Sequence, residues 1–169
     1  MKHTSYIKGG HIISIYALIT SASAIILAIV WAAELAGLAP CPLCLQQRYA
    51  YYIALGLGVY GGFCALRFPI ASRGLLVVLA IIFAANAVFG IYHSGVEYGW
   101  WAGPLGCAGT GAGSGASAIT STQDLLAQLN RPFVSCERPS FRFLSLSLAG
   151  YNALASFGLS ALALYGAKK

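Results

Sequence analysis

Four long apolar stretches, at residues 12–33, 49–66, 75–92 and 144–165, leave this chain few ways to fold. The first has 22 residues, broken only by scattered Ser, Thr and Tyr. As a helix it would reach ~33 Å, enough for a hydrocarbon core of ~30 Å. The balance of side chains agrees, with 59% apolar and 8% charged, where soluble domains average about 45–50% and about 25%. The chain therefore reads as an all-α membrane protein, a four-helix transmembrane bundle forming one domain over residues 1–169. Outer loops are expected at 34–48 and 93–143, and a short link at 67–74 makes the second and third spans neighbours.

Charge gives the orientation. Lys2, Lys8, Arg67, Arg73, Lys168 and Lys169 fall on one side, with no acid among them. Arg48, Arg131, Arg138 and Arg142 fall on the other, together with Glu34, Glu97, Asp124 and Glu137. Positive charge collects in the cytoplasm, so both termini are expected inside and the two longer loops outside. The net charge of +6 is then a topology signal. Nucleic acid is not an expected partner, because the cations are split among short pieces and make no basic stripe. A basic start and Ala22-Ser23-Ala24 resemble a cleaved signal peptide, but the apolar run continues to Ala33, too long for one.

The long outer loop has two parts. Residues 103–117 are rich in Gly, Ala and Ser and read as a flexible tether. Residues 121–130 read as a short helix: Ser121 with Asp124 resembles a capping box, and Leu125, Leu126 and Leu129 form one apolar face. That face would lie on the bilayer surface or on the bundle. Within the spans, Ala54, Gly58 and Gly62 recur every four residues, which lets helices approach closely, inside one chain or between two. Asn86 and Asn152 sit at membrane depth and need partners there, by default each other's helices.

The chemistry lies in the cysteines. Cys41-Pro42-Leu43-Cys44 is a C-x-x-C pair, which cycles between dithiol and disulfide at little closure cost. Pro42 suits the first turn of a helix, and a helix N-terminus favours a thiolate. Arg48, one turn after Cys44, would stabilise a thiolate or an anionic ligand, or snorkel to headgroups. Cys107 and Cys136 lie in the same outer loop with 28 residues between them. They would form a static loop-closing bridge or, in exposed turn-prone sequence, a readily exchanged one. Four cysteines allow three pairings. A zinc site would want a second C-x-x-C-like knuckle, which is missing, so no metal is expected. Cys64 reads as a small buried apolar residue. His93 sits where the third span meets the surface; it would contact a bound ring, relay protons or simply lie at the interface. Trp100 and Trp101 read as interfacial anchors.

Four spans, Cys41-Pro42-Leu43-Cys44 before the second of them, Arg48 four residues on and a cysteine pair in the second outer loop together resemble the DsbB family of membrane disulfide-generating enzymes. The resemblance implies a multi-pass protein of the bacterial inner membrane, with Cys41, Cys44, Cys107 and Cys136 as its catalytic residues on the periplasmic side. It implies a DsbA-like thioredoxin-fold partner that attacks Cys107, release of Cys136 to attack Cys41, and transfer of electrons to ubiquinone or menaquinone. The quinone would be held beside Cys44, Arg48 and His93, in a protein that works as a monomer among membrane lipid. Gln46-Gln47 departs from the family, where an acidic residue often stands beside the arginine, and the Gly-rich loop leaves room for a paralogue with a dedicated partner. A relative of vitamin K epoxide reductase would carry its C-x-x-C late, near the last helix. A tetraspan scaffold with static disulfides would catalyse nothing.

Overall fold

The computed structural model describes residues 2–104, 136 and 142–168. Helix α1 covers Lys2–Leu35, α2 Pro42–Arg67 and α3 Pro69–Glu97. A short hairpin of β1 (Arg142–Phe143) and β2 (Leu146–Ser147) leads into α4 (Leu148–Lys168). Each of the four helices is long and apolar enough to cross a membrane. Cys107 and the helix expected at 121–130 lie outside the described residues.

The helices differ at their ends from what hydropathy alone suggests. Helix α2 begins at Pro42, where the first-turn proline allows it to start ahead of the hydropathy run at residue 49, with Cys41 as its N-cap in extended conformation (φ −77°, ψ 164°). Proline at the first position costs no hydrogen bond, because that N–H would be orphaned anyway. Helix α3 continues past residue 92 to Glu97, so His93 lies inside a helix and not at the start of a loop. Polar His93, Ser94 and Glu97 end a hydropathy run, yet they do not break a helix. Helix α4 starts at Leu148 instead of residue 144. Leu144 (φ 47°) and Ser145 (φ 66°) form the hairpin turn, both in the left-handed conformation that a two-residue type I′ turn requires. Ser147 then caps α4, its Oγ accepting from Gly150 N at 3.2 Å.

Large apolar side chains such as Leu18, Val59, Phe63, Ile81 and Phe157 point outward, as lipid-facing residues must. The interior is held by close helix approach and by polar pairs. A Cβ on Gly58 would overlap the Thr20 hydroxyl, and one on Gly61 the Tyr16 ring. The small-residue face therefore packs α2 on α1 within one chain, and its row runs through Gly61 more than Gly62. Tyr16 Oη donates to Ser72 O at 2.6 Å and Ser72 Oγ to Gly61 O at 3.2 Å, tying α1, α2 and α3 together at the end away from Cys41. Replacing Gly61 with Leu forces these backbones apart and is expected to cost about 1–3 kcal/mol, read as a lower unfolding temperature in detergent.

Asn86 and Asn152 do bond across helices. Tyr51 Oη donates to Asn152 Oδ1 (2.5 Å) and pairs with Ser156 Oγ (3.1 Å), while Asn86 Nδ2 donates to Ser156 Oγ (2.9 Å). This network joins α2, α3 and α4 at a depth where no water can serve. Cys64 is buried among the core residues, a free thiol.

Candidate redox site

The site forms where α1 ends, α2 begins and α3 ends. Cys41, at the α2 N-cap, is buried, and Cys44 follows in the first turn, half-buried. Their sulfurs are 2.8 Å apart, and Cys44 N donates to Cys41 Sγ at 3.2 Å. One helical turn thus brings the C-x-x-C sulfurs together and turns the helix N-terminus toward Cys41. From α3, His93 Nε2 lies 3.5 Å from Cys41 Sγ, and Glu97 Oε1 lies 3.8 Å from the same nitrogen. Gln47, one turn beyond Cys44, places its amide nitrogen 2.9 Å from His93 Nδ1. His93 has no exposed surface. It is a buried side chain that faces the first cysteine.

Cys136 comes to the same point. It is buried and disulfide-bonded, and it packs with Cys41, Leu43 and Val96, with Cys44 and Phe89 alongside. Its sulfur, Cys41 Sγ and a His93 ring nitrogen all lie within 4.8 Å of one another. These donors would suit a soft metal ion, but the disulfide at Cys136 withholds the thiolate that such an ion takes.

The surroundings favour a thiolate at Cys41. Its pKa falls from 9.0 to about 5, chiefly through the hydrogen bond from Cys44; burial opposes this, and the hydrogen bond of His93 assists. The folded reduced protein thus holds fewer protons than the unfolded chain between about 5 and 9.0. This group's contribution to the stability of the reduced form is present above that window and is lost as pH falls through about 5. Ultraviolet thiolate absorbance, taken as the difference between the reduced protein and its Cys41→Ser variant, is expected to titrate near pH 5, where an ordinary cysteine titrates near ~8.5.

Arg48 makes a different contact from the one its spacing suggests. Its Nη1 lies 2.7 Å from Glu34 Oε1 at the end of α1. Trp31 Nε1 also donates to Tyr52 Oη at 2.9 Å, closing the same α1–α2 face. Glu34 supplies beside Arg48 the negative charge that Gln46-Gln47 does not.

A protein-family model described as "Disulfide bond formation protein DsbB" matches residues 12–166, nearly the whole chain. The chain belongs to the DsbB family. It is therefore a multi-pass membrane protein. Uncharacterized protein RP370 of Rickettsia prowazekii (strain Madrid E) is 26% identical over 121 residues, 68% of this chain and 63% of that protein. The match spans less than two thirds of that relative's length. No solved structure matches the chain significantly.

Of the residues singled out in sequence, this DsbB-family chain brings Cys41, Cys44, His93 and Cys136 together and places Arg48 on the adjoining face of α2. Gln47, Glu97 and Glu34 join them without having been singled out for the site. The spacing of His93 and Glu97, four apart in a helix, was the available signal for one of them. The contacts of Gln47 and Glu34 cross between helices, where sequence spacing carries no information. At the hairpin, Tyr98 Oη donates to Ser145 O (2.8 Å), and the Arg142 guanidinium sits over the Tyr98 ring and reaches Glu97 O (3.5 Å). The end of α3, and with it His93, is fixed from outside the bundle.

Proposed function

We propose that this protein is a thiol:quinone oxidoreductase that generates disulfides by re-oxidising a DsbA-like thioredoxin-fold protein. The observation that carries the reading is the proximity of Cys136, in a disulfide, to Cys41, in a dithiol. Two redox pairs within collision distance exchange by thiolate attack through a mixed disulfide.

The steps balance as follows. A thiolate of the reduced partner attacks the loop disulfide at Cys107, forming a mixed disulfide and releasing Cys136. The partner's second thiolate resolves it, leaving the partner oxidised and the loop pair reduced. Cys136 attacks Cys41 of the Cys41–Cys44 disulfide, and Cys44 leaves as a thiolate. Cys107 then attacks Cys136, which restores the loop disulfide and leaves Cys41 and Cys44 reduced.

The face beside Cys44 fits a quinone. Exposed Leu45, Tyr49, Trp31 and Leu35 offer an apolar surface at the membrane edge, and the Arg48–Glu34 pair supplies a cation that a carbonyl oxygen accepts from. A quinone, ubiquinone or menaquinone, would be held at this face and would supply the two-electron oxidation that lets Cys41–Cys44 re-form. Arg48 would orient it, and His93 would act through Cys41. On this reading the chain works as a monomer in a bacterial inner membrane, with both termini cytoplasmic and the cysteines periplasmic.

The test is quinone absorbance with the purified full chain in detergent, supplied with a reduced DsbA-like protein. Turnover of ubiquinone or menaquinone analogues supports the reading. No turnover by folded protein would turn attention to a dedicated partner or a static scaffold.

A further inference from the structure

His93 is held between one donor and two acceptors. The amide nitrogen of Gln47 can only donate, and it lies 2.9 Å from Nδ1. Cys41 Sγ and Glu97 Oε1, both acceptors when ionised, lie 3.5 and 3.8 Å from Nε2. A neutral imidazole carries one proton, and this arrangement leaves one place for it. Gln47 itself is buried, so water does not compete for its amide.

We propose that Gln47 is a positioning residue that locks His93 in the neutral form protonated at Nε2, so that His93 serves Cys41 as a fixed hydrogen-bond donor and not as a proton carrier. The inference rests on the redox reading of Cys41 and refines it. With Nδ1 occupied by a donor and Nε2 already protonated, the ring has no lone pair free for the proton of Cys41. The proton of Cys41 leaves to solvent, and Cys44, whose sulfur lies 2.8 Å away, keeps its own as a hydrogen bond to the thiolate. Cys41 is thereby ready to attack without a change in the state of His93. The other groups facing this point are Cys44 from α2, Glu97 from α3 and the bonded Cys136; Arg142 from β1 touches the Glu97 carbonyl.

The experiment needs neither quinone nor partner, so its outcome is independent of turnover. The reduced full chain is labelled with ¹⁵N-histidine in detergent, with His93 assigned by loss of its signals in His93→Gln. Nitrogen shifts distinguish the two neutral tautomers and the imidazolium. Wild type is expected to show His93 neutral and protonated at Nε2 at pH 7. Gln47→Met is expected to mix the tautomers and make Cys41 about tenfold less acidic by thiolate absorbance. Gln47→Glu, which accepts where Gln donates, is expected to hold the ring as an imidazolium and to add a second ionisation to the Cys41 profile. Wild-type His93 protonated at Nδ1 overturns the proposal even if no variant folds. A Gln47→Met protein with unchanged tautomer and unchanged Cys41 titration overturns it as well, since a merely structural role would change stability alone.

Discussion

Replacing Cys44 with serine is expected to abolish quinone reduction while leaving the bundle folded. The electrons leave Cys41 only as a second sulfur closes on it, and Cys44, 2.8 Å away in the same helical turn, is that sulfur. A serine hydroxyl has the right shape but forms no bond to sulfur and no stabilised anion near neutral pH. The loss should therefore be of the order seen when a covalent participant is removed, about 10³-fold or more. Stability should change little, because the side chain is half-buried and the change is nearly isosteric. Cys64→Ser provides the contrast. Cys64 lies in the core of α2, far along the helix from Cys44, so a hydroxyl there costs about 1–3 kcal/mol by burying a polar group and leaves turnover intact. Quinone absorbance and unfolding temperature, measured on both variants, separate the two effects. A Cys44→Ser protein that still reduces quinone at the wild-type rate would remove the dithiol from the electron path and end the enzyme reading.

The spans were legible because a bilayer leaves backbone polar groups no alternative to internal bonding, so length and apolarity suffice to find them. Hydropathy alone did not give their ends. Pro42 and Glu97 lie outside the hydropathy runs, and the helices continue there on backbone geometry and capping. The C-x-x-C pair and its place at a helix start were legible for a similar reason, since Pro42 permits one structure at that point. What lay beyond reach is every contact between helices. Gln47 meets His93 across 46 residues, and Arg48 meets Glu34 across the first loop. In sequence Gln47 marked only a missing negative charge. In the fold that charge arrives from α1, and the amide turns to orient an imidazole. The small-residue row shows the same limit: a four-residue repeat pointed to Gly58 and Gly62, while helix crossing selected Gly58 and Gly61.

The same Cys44→Ser variant is expected to collect a disulfide between Cys41 and Cys136. Wild-type Cys44 resolves any bond that Cys41 makes, because it is the nearest nucleophile; serine cannot. Cys41 thiolate, with Cys136 Sγ inside 4.8 Å, attacks that sulfur, the new bond forms, and the sulfur formerly bonded to Cys136 leaves as a thiolate. No oxidant is consumed, since one disulfide replaces another. Purified without reductant, quenched by alkylation and digested, most chains should yield a peptide pair linked through Cys41 and Cys136, absent from the Cys41→Ser control. The acid limit of the exchange should follow Cys41. Because Cys44 is the main cause of the lowered Cys41 pKa and is absent in this variant, bond formation is expected to fail at a higher pH than the wild-type thiolate would allow, yet, with His93 still assisting, below the ~8.5 of an ordinary cysteine. The low pKa has a cost in intrinsic nucleophilicity, with a Brønsted slope of about 0.4–0.5. At acid pH the gain in thiolate fraction is the larger effect; at alkaline pH an ordinary thiolate would be faster. A static scaffold behaves otherwise, with Cys136 keeping its original bond at every pH and Cys41 recovered only as the alkylated thiol. Recovery of that pattern would mean that the two sulfurs are neighbours in space without being partners in exchange.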